Sequence, residues 1–321
     1  MIKMQNKKLK IIFAGTPEFS VPTLKLLHDS GYEISLVMTQ PDRKSGRGMK
    51  INHSPVKKYS IENKLPLCQP EKLSKNKNLE NKILSLKPDV LIVVAYGLIM
   101  PTDFLNYFKN KYNIHASLLP RWRGAAPIHR AIEAGDKETG ITIMRVISEL
   151  DAGPIIIKEN VGIKDSDTTG DLNIKLSEIG AKLMLKVITK IKEGNIINAV
   201  NQNDADANYA HKVKKTESLL NKNDSAYIVC RKIRAFNPYP VVHCFFREKI
   251  IKIWEAEIGS LKTDPTVNLL PGNFLVVKEN LYLQLNDEVI KIIKIQPEGS
   301  RLMTAKEFIH GYSVITGESI K

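Results

Sequence analysis

The chain has little cysteine and no long hydrophobic run, and these absences exclude several classes of protein. Its three cysteines, Cys68, Cys230 and Cys244, lie far apart and show none of the C-x-x-C spacings typical of zinc or redox sites. We therefore expect reduced, inert thiols. No apolar stretch approaches the roughly 20 residues of a membrane span. The basic N-terminus runs directly into an apolar strand and leaves no room for a signal peptide, which predicts a cytoplasmic protein.

Acidic residues are scarce relative to basic ones. The chain has 48 Lys and Arg against 34 Asp and Glu, which leaves a formal net charge of +14. An excess of this size favours polyanionic partners, because neutralising phosphates releases their counterions. Nucleic acid is the leading candidate. A lysine-rich surface without such a partner is the alternative, and charge alone does not separate the two.

The first part of the chain alternates strand and helix patterns, which is typical of a parallel α/β sheet. An apolar run at 10–15 ends at a glycine, a helical pattern follows with Val21 and Leu24, and a second β-rich run covers 34–39. The turn after the first run reads GTPEFS and lacks the G-x-G-x-x-G spacing, so a nicotinamide dinucleotide has no cradle there. Further strands are predicted at 89–95, 112–116, 140–146 and 154–158, and helices up to residue 134 and at 169–192.

The last third of the chain has a different pattern. Residues 194–208 are polar, rich in amides and without period, which indicates a linker. A helix at 225–236 precedes short apolar runs separated by turn residues, and this spacing predicts a small, five-stranded β-barrel. The runs are 241–246, 250–256, 274–277, 281–285 and 289–295. We therefore predict an α/β domain at 1–193, a linker at 194–208 and a barrel domain at 209–321.

Three polar residues of the central stretch form a candidate active site. Asn113 and His115 are two apart on a predicted strand and share one face, so that an amide and an imidazole can reach the same oxygen. Asp151 follows in a loop between predicted strands, where a carboxylate can reach the imidazole or accept a proton. No Ser, Cys or Lys nucleophile is obvious beside them, which favours direct acyl transfer through a tetrahedral intermediate. Taken singly, each residue also has a purely structural interpretation, as a backbone partner, a packed ring or a turn former.

Residues 40–50 form a predicted loop with one proline, two glycines and four cations. The loop is longer than a strand–helix connection requires, and such loops are usually functional or mobile. Its cations are Arg43, Lys44, Arg47 and Lys50. They either grip phosphates or belong to a solvated basic loop, and composition leaves both interpretations open.

Several longer motifs resemble the methionyl-tRNA formyltransferase family. The main one is NIHASLLPRWRGAAP at 113–127, followed by LDAG at 150–153. Shorter segments resemble the same family in the same order along nearly the whole chain. They are FAGTP at 13–17, QPDR at 40–43, GRG at 46–48, VAYG at 94–97, IRAFNP at 233–238 and QPEG at 296–299.

The resemblance implies a fold and a chemistry. The family joins a Rossmann-like formyltransferase domain to a β-barrel of the oligonucleotide-binding (OB) type, and its formyl donor is 10-formyltetrahydrofolate, with no metal. Asn113, His115 and Asp151 match its catalytic positions. The residues that match its folate-contacting segment are Ser117, Leu118, Leu119 and Pro120.

The resemblance also implies a partner, initiator methionyl-tRNA, bound by a monomer. The family's basic insertion loop meets the acceptor stem, which makes Arg43 and Arg47 expected contacts, and Lys212 matches a lysine near the tRNA path. The chain departs from the family at His53, where a proline is expected, and at 219–223. The role of the cationic segment 121–123 stays open between facing the tRNA end and bracing the following helix.

Two other functions remain as alternatives. The first domain also resembles formyltransferases that act on small amines, such as glycinamide ribonucleotide or an amino sugar. A small substrate, however, needs neither the basic loop nor the second domain nor the charge of +14. A non-catalytic nucleic-acid-binding protein would use the barrel and the basic surface, but it leaves Asn113, His115 and Asp151 as a coincidence.

Overall fold

The computed structural model describes residues 8–45, 50–259 and 269–321. The helices are α1 (Val21–Asp29), α2 (Pro55–Glu62), α3 (Lys77–Leu86), α4 (Thr102–Leu105), α5 (Pro127–Ala134), α6 (Thr169–Lys192), α7 (Ala226–Ala235) and α8 (Ala305–Tyr312). The strands of the N-terminal part are β1 (Lys10–Gly15), β2 (Glu33–Met38), β3 (Arg43–Ser45), β4 (Lys50–Asn52), β5 (Leu67–Cys68), β6 (Val90–Val94), β7 (Asn110–His115), β8 (Arg123–Gly124), β9 (Glu138–Arg145) and β10 (Ile155–Gly162). Those that follow are β11 (Tyr209–Ala210), β12 (His243–Phe246), β13 (Lys249–Ile258), β14 (Phe274–Val277), β15 (Asn280–Gln284), β16 (Val289–Pro297) and β17 (Met303–Thr304).

No helix within the described ranges has the length and apolar character needed to cross a membrane. In the same ranges, no three or more His, Cys, Asp and Glu side chains are grouped so that they could hold a metal ion.

The main sheet contains, among the described residues, seven strands in the order β10-β9-β7-β6-β1-β2-β5. Strands β5, β2, β1, β6 and β7 are mutually parallel, and β9 runs antiparallel to β7. Every residue of β6 is buried, as expected for a parallel strand with both faces covered, which explains why its sequence is continuously apolar rather than alternating. The predicted parallel-rich α/β sheet is confirmed.

Helix α6 determines which face of β7 is packed. A Cβ atom on Gly180 would lie 2.8 Å from Cγ2 of Ile114, so the missing side chain allows the helix to approach the strand closely. Ile114 therefore faces the helix. Because side chains alternate along a strand, Asn113 and His115 lie together on the other face.

The C-terminal sheet is antiparallel, in the order β12-β13-β16-β15-β14, with β17 on β16. The last residues of the chain join its two edges. Phe245 of β12 exchanges two backbone hydrogen bonds with Lys321 (3.2 and 2.8 Å), and the Phe274 N–H of β14 donates to the Glu318 carbonyl (2.7 Å). This pairing closes the sheet into a barrel and covers both edges. The five strands were predicted, whereas the closing segment was not, because GESIK has no strand pattern.

The prediction of a loop over 40–50 is wrong at 43–45 and at residue 50, which lie in short strands. Strand β3 pairs antiparallel with β4, and Arg43 lies opposite Asn52. Proline, glycine and charge indicated a loop, but hydrogen bonding between the two arms satisfies their backbone groups and forms short strands. Residues 46–49 lie outside the described residues.

The chain divides into two compact units that do not follow chain order. The first consists of Met1–Pro127, Thr139–Gly162 and Asn173–Ala210, and the second of Ile128–Glu138, Ile163–Leu172 and His211–Lys321. Within the second unit, the Thr169 hydroxyl donates to the Ala235 carbonyl (2.6 Å) and the Arg231 guanidinium donates to the Ala134 carbonyl (3.3 Å). The boundaries 1–193, 194–208 and 209–321 stay a prediction.

Candidate active site

The first unit brings Asn113, His115 and Asp151 together at the carboxyl end of β7. This edge of an open α/β sheet is where ligands bind. Nδ1 of His115 lies 3.5 Å from Oδ2 of Asp151, and the Asn113 amide donates to Oδ1 of Asp151 at 3.3 Å. His115 is 5% exposed and Asn113 is half-buried. The predicted shared face and the predicted contact between carboxylate and imidazole are both present.

Asp151 reaches this position only because its loop folds back. Strand β9 is antiparallel to β7, and its last residue, Arg145, pairs with Tyr112 near the start of β7. The chain must therefore reverse direction to return Asp151 toward His115. Asp151 has a φ of +52°, and a Cβ atom on Gly153 would overlap the Arg145 carbonyl oxygen, so only glycine fits there.

The Asp151 carboxylate is surrounded by hydrogen-bond donors. The Gly124 N–H donates to Oδ2 at 2.9 Å, in addition to the Asn113 amide at Oδ1. Its side chain is 11% exposed. These contacts come from separate segments of the chain and hold both carboxylate oxygens, so the negative charge has a defined position and direction.

Both nitrogens of the His115 ring are engaged. Nε2 lies 2.8 Å from the Trp122 carbonyl oxygen. Because a carbonyl oxygen can only accept a hydrogen bond, Nε2 carries a hydrogen. With the ring held in this orientation, Nδ1 faces Asp151. A proton at Nδ1 would lie between the ring and the carboxylate. The pair can therefore take up or release one proton, while the Asn113 amide, which has two N–H groups, can donate to a substrate oxygen.

The two cations of segment 121–123, whose role the sequence left open, point in different directions: Arg121 is exposed and Arg123 is buried. The exposed Arg121 guanidinium lies 4.4 Å from the centre of the Trp122 ring. The backbone N–H of Trp122 donates to the side-chain oxygen of Asn208 at 2.5 Å. Arg123 is only 3% exposed, and its guanidinium donates to Gln202 (3.0 Å) and Asp204 (2.7 Å). Arg123 therefore points into the protein and braces the 194–208 segment.

The folate segment predicted at 117–120 has two inward and two outward residues. The Ser117 carbonyl accepts from the Thr142 hydroxyl (2.7 Å), and that hydroxyl oxygen accepts from the Leu119 N–H (3.1 Å). Ser117 and Leu119 are 1% and 0% exposed. Leu118 and Pro120 are half-buried. A donor molecule at this segment would therefore touch Leu118 and Pro120, while the other two residues shape the backbone.

Three supporting residues were missed by the sequence analysis. The Thr142 hydroxyl holds the 117–119 backbone, the Lys158 ammonium donates to the Leu119 carbonyl (3.1 Å), and the Gln202 amide donates to the carbonyls of Asp151 and Gly153 (2.8 Å each). Thr142 lies opposite His115 in the register of β7 and β9, a pairing that only the structure shows. Lys158 and Gln202 make contacts that no local pattern encodes.

The three predicted tRNA contacts have different positions. Arg43 is exposed on β3 in the first unit, and Lys212 is exposed in the second. Arg47 lies outside the described residues. The structure thus presents Arg43 and Lys212 to solvent, where each is accessible to a phosphate.

A polar network holds the start of the predicted basic loop. The Lys57 ammonium donates to Asp42 (2.5 Å) and to Gln69 (2.8 Å), and the Gln69 amide also donates to Asp42 (3.0 Å). These hydrogen bonds, with that from Lys57 the largest cause, keep the pKa of the Asp42 carboxyl below its ordinary value. His53, the departure from the family pattern, has Nδ1 3.1 Å from Asp42. The residue beside Arg43 is therefore anchored.

Two protein-family models match the chain, one in each part. The family described as "Formyl transferase" matches residues 7–188, and "Formyl transferase, C-terminal domain" matches residues 212–313. A methionyl-tRNA formyltransferase of Methylococcus capsulatus is 42% identical and covers 95% of this chain and 98% of its own. One of Coxiella burnetii is 43% identical, with coverages of 97% and 99%.

A solved structure shows the fold independently. An N-formyltransferase from Helicobacter canadensis, in complex with folinic acid and dTDP-3-aminofucose, is 20% identical, with a TM-score of 0.62 over 88% of this chain and 98% of that chain. At this identity the likeness concerns the fold alone.

The α/β sheet, the antiparallel second part and the two family matches define a formyltransferase. Identity above 40% along nearly the whole of both chains narrows the class further. The chain belongs to the methionyl-tRNA formyltransferase family. The fold class and the family resemblance predicted from the sequence are confirmed.

Proposed function

We propose that this protein transfers the formyl group of 10-formyltetrahydrofolate to the α-amino group of methionine esterified to initiator tRNA, a step of translation initiation. The observation that carries the proposal is the contact of Asn113, His115 and Asp151 at the carboxyl end of β7. Relatives 42 and 43% identical over nearly their full length bear the name methionyl-tRNA formyltransferase.

In this mechanism the protein stabilises the charge that develops on the formyl oxygen. The amine nitrogen attacks the formyl carbon, a C–N bond forms, and the carbonyl electron pair moves to oxygen. The second N–H of Asn113 donates to that oxygen. Nε2–H of His115 also donates to the oxyanion, after leaving its hydrogen bond with the Trp122 carbonyl. Donors placed at a developing oxyanion typically contribute about two to three orders of magnitude in rate.

Asp151, next to His115, accepts the proton that the amine loses. Asp151 accepts it directly or through water, and the carboxylate orients the imidazole through Nδ1. When the tetrahedral intermediate collapses, the bond from the formyl carbon to the folate nitrogen breaks and that nitrogen takes up a proton. Tetrahydrofolate and formylmethionyl-tRNA leave, so atoms and charge balance without a covalent enzyme intermediate.

The proposed binding residues lie around this centre and on the surface. Leu118 and Pro120 would contact the donor, on backbone held through Ser117 and Leu119. Arg43, Arg47 and Lys212 would contact tRNA phosphates. We further infer a monomer that acts in the cytoplasm, with a catalytic domain at 1–193, a linker at 194–208 and an OB-type tRNA-binding domain at 209–321.

One assay tests the proposal against its alternatives. A formyl-labelled folate donor is offered with initiator methionyl-tRNA, free methionine, glycinamide ribonucleotide or an amino sugar, and the labelled product is identified. We expect label on methionyl-tRNA at the highest kcat/KM. Label on a small amine instead would make this a small-molecule formyltransferase, and tRNA binding without any transfer would leave a nucleic-acid-binding protein.

A further inference from the structure

Gln202 belongs to the segment predicted as a linker, yet its side chain contacts the Asp151 loop. Its Nε2 group donates to the carbonyl oxygens of Asp151 and Gly153, at 2.8 Å each. These carbonyls lie on either side of Ala152. The amide thus joins the two ends of the turn that carries Asp151.

Arg123 determines which way the Gln202 amide points. Nε of Arg123 donates to Oε1 of Gln202 at 3.0 Å. A guanidinium has no acceptor, so the amide oxygen must face Arg123 and the NH2 group must face the two carbonyls. Arg123 is 3% exposed, and its charge is met by Asp204 at 2.7 Å. A buried cation therefore orients the amide, which in turn holds the turn.

The Asp151 turn needs such support. A φ of +52° is uncommon for a residue other than glycine and persists where the surroundings hold it. The carboxylate must also keep its 3.5 Å approach to His115 and its 2.9 Å contact with the Gly124 N–H. A small rotation of this backbone would break both contacts.

We infer that Gln202 is a positioning residue for the formyl transfer: oriented by Arg123, it holds the Asp151 backbone so that the carboxylate meets His115. The 194–208 segment then forms part of the active site rather than only joining two domains. The inference rests on the proposed function, because it assigns Gln202 an effect on the step in which Asp151 takes part.

Two substitutions remove the donated hydrogen bonds in different ways. Gln202→Met removes all of them. Gln202→Glu keeps an acceptor for Arg123, but its ionised carboxylate cannot donate to the two carbonyls. The measurement is the single-turnover rate of formyl transfer to initiator methionyl-tRNA at saturating substrates, together with KM. We expect both variants to lose about 100-fold in rate, the scale of a misplacement of about 1 Å, with KM for the tRNA changed less than about threefold.

The matched control is Asn201→Met, at an exposed amide next to Gln202 whose side chain makes no hydrogen bond among the described residues. It disturbs the same segment without touching the Asp151 turn, and its rate should stay within about twofold of wild type. A near-wild-type rate for Gln202→Glu, with Gln202→Met impaired, would mean that Gln202 serves Arg123 and packing only, which would overturn the inference.

A double-mutant cycle tests whether Gln202 acts through Asp151. In an Asp151→Asn background, Gln202→Met should lower the residual rate by less than about threefold, because there is no carboxylate left to position. Effects that multiply in full would refute the inference. An inactive wild-type protein would instead refute the proposed function, so the two failures are distinguishable. Thermal unfolding of each variant confirms that the folded protein is being compared.

Discussion

The Asp151 carboxylate depends on residues that lie far from it in the sequence. Asn113 donates from β7, Gly124 donates from the segment before α5, and Gln202 holds the backbone from the 194–208 segment. At the residue scale, the candidate site is therefore a carboxylate held from several sides next to an imidazole whose second nitrogen bonds Trp122. This arrangement suits a proton acceptor that must keep one orientation during the reaction.

The catalytic assignment predicts a loss of turnover without a loss of binding. Asn113→Ala removes an oxyanion donor and Asp151→Asn removes the proton acceptor with little change in shape. Each should lower the single-turnover rate by at least about two orders of magnitude, while tRNA affinity, measured by filter binding, stays within about threefold. A rate near that of wild type for either variant would remove that residue from the mechanism.

The three thiols should be unreactive in the native protein. Burial raises the pKa of Cys68 to about 11 and those of Cys230 and Cys244 to about 12. Since the thiolate is the reactive form, a thiol-specific chromogenic reagent at pH 8 should label the folded protein slowly and all three cysteines at once after unfolding. Rapid labelling of the folded protein would contradict the burial of these side chains.

The raised pKa of a buried thiol also makes the free energy of unfolding depend on pH. A thiol ionises in the unfolded chain near pH 9.0, the ordinary value, but stays neutral in the fold up to about pH 11 for Cys68. Its contribution is therefore fully present below pH 9 and is lost as pH rises toward 11. Urea unfolding measured between pH 8 and 11 should show a falling free energy, and Cys68→Ser should reduce that slope.

At the scale of elements, the C-terminal segment completes the second unit. It pairs with β12 through Lys321 and with β14 through Glu318. The Arg247 guanidinium adds two contacts to the Glu318 carboxylate at 2.8 Å each and a third to the Tyr312 carbonyl at 2.7 Å. The final residues therefore act as a barrel strand, although no local pattern predicts one.

Removing the buried side chain of this segment should destabilise the barrel. Ile320 is 2% exposed, and truncating a buried isoleucine to alanine typically costs about 2–5 kcal/mol of unfolding free energy. We expect Ile320→Ala to lower the urea midpoint accordingly. Lys321→Ala is the control: its side chain is 78% exposed and its pairing uses backbone atoms, so it should change stability by less than about 0.5 kcal/mol. Equal effects of the two variants would contradict the closing role.

At the scale of the whole molecule, the net charge of +14 and the tRNA substrate of the named relatives point to the same kind of partner. The charge favours long-range attraction, whereas the contact proposed for Arg43, next to the anchored Asp42, would be local. The long-range electrostatic attraction is the sum of contributions from many charged residues. A single cation is therefore tested best through the salt dependence of binding, which counts phosphate contacts.

Arg43→Ala should weaken tRNA binding and lower the slope of log K against log salt by about 0.9, one phosphate equivalent. Arg47→Ala should do the same. Lys25→Ala, an equal change of charge at an exposed position of α1, is the control and should leave the slope unchanged. An unchanged slope for Arg43→Ala would return residues 40–50 to a solvated basic surface.

The sequence by itself determined the order and type of most elements and the shared face of Asn113 and His115. These are local properties: burial imposes a period of two on strands and of 3.6 on helices, and a buried parallel strand such as β6 is simply apolar throughout. The motif at 113–127 was long enough to indicate the family. Helix α6, at Thr169–Lys192, agrees with the approximate bounds that were predicted for it.

Tertiary structure alone decided the contacts that make the site. These contacts join segments that are distant in sequence. Asp151 returns toward His115 after an antiparallel β9, Arg123 points inward to Gln202, and Gln202 holds the Asp151 backbone. The last residues of the chain pair with the edges of the second sheet. A hydrogen bond between such segments leaves no periodic trace, because its partners are chosen by the fold and not by their neighbours in the chain. The amide-rich 194–208 segment has the composition of a linker, whereas in the fold its Gln202 side chain contacts the loop that carries Asp151.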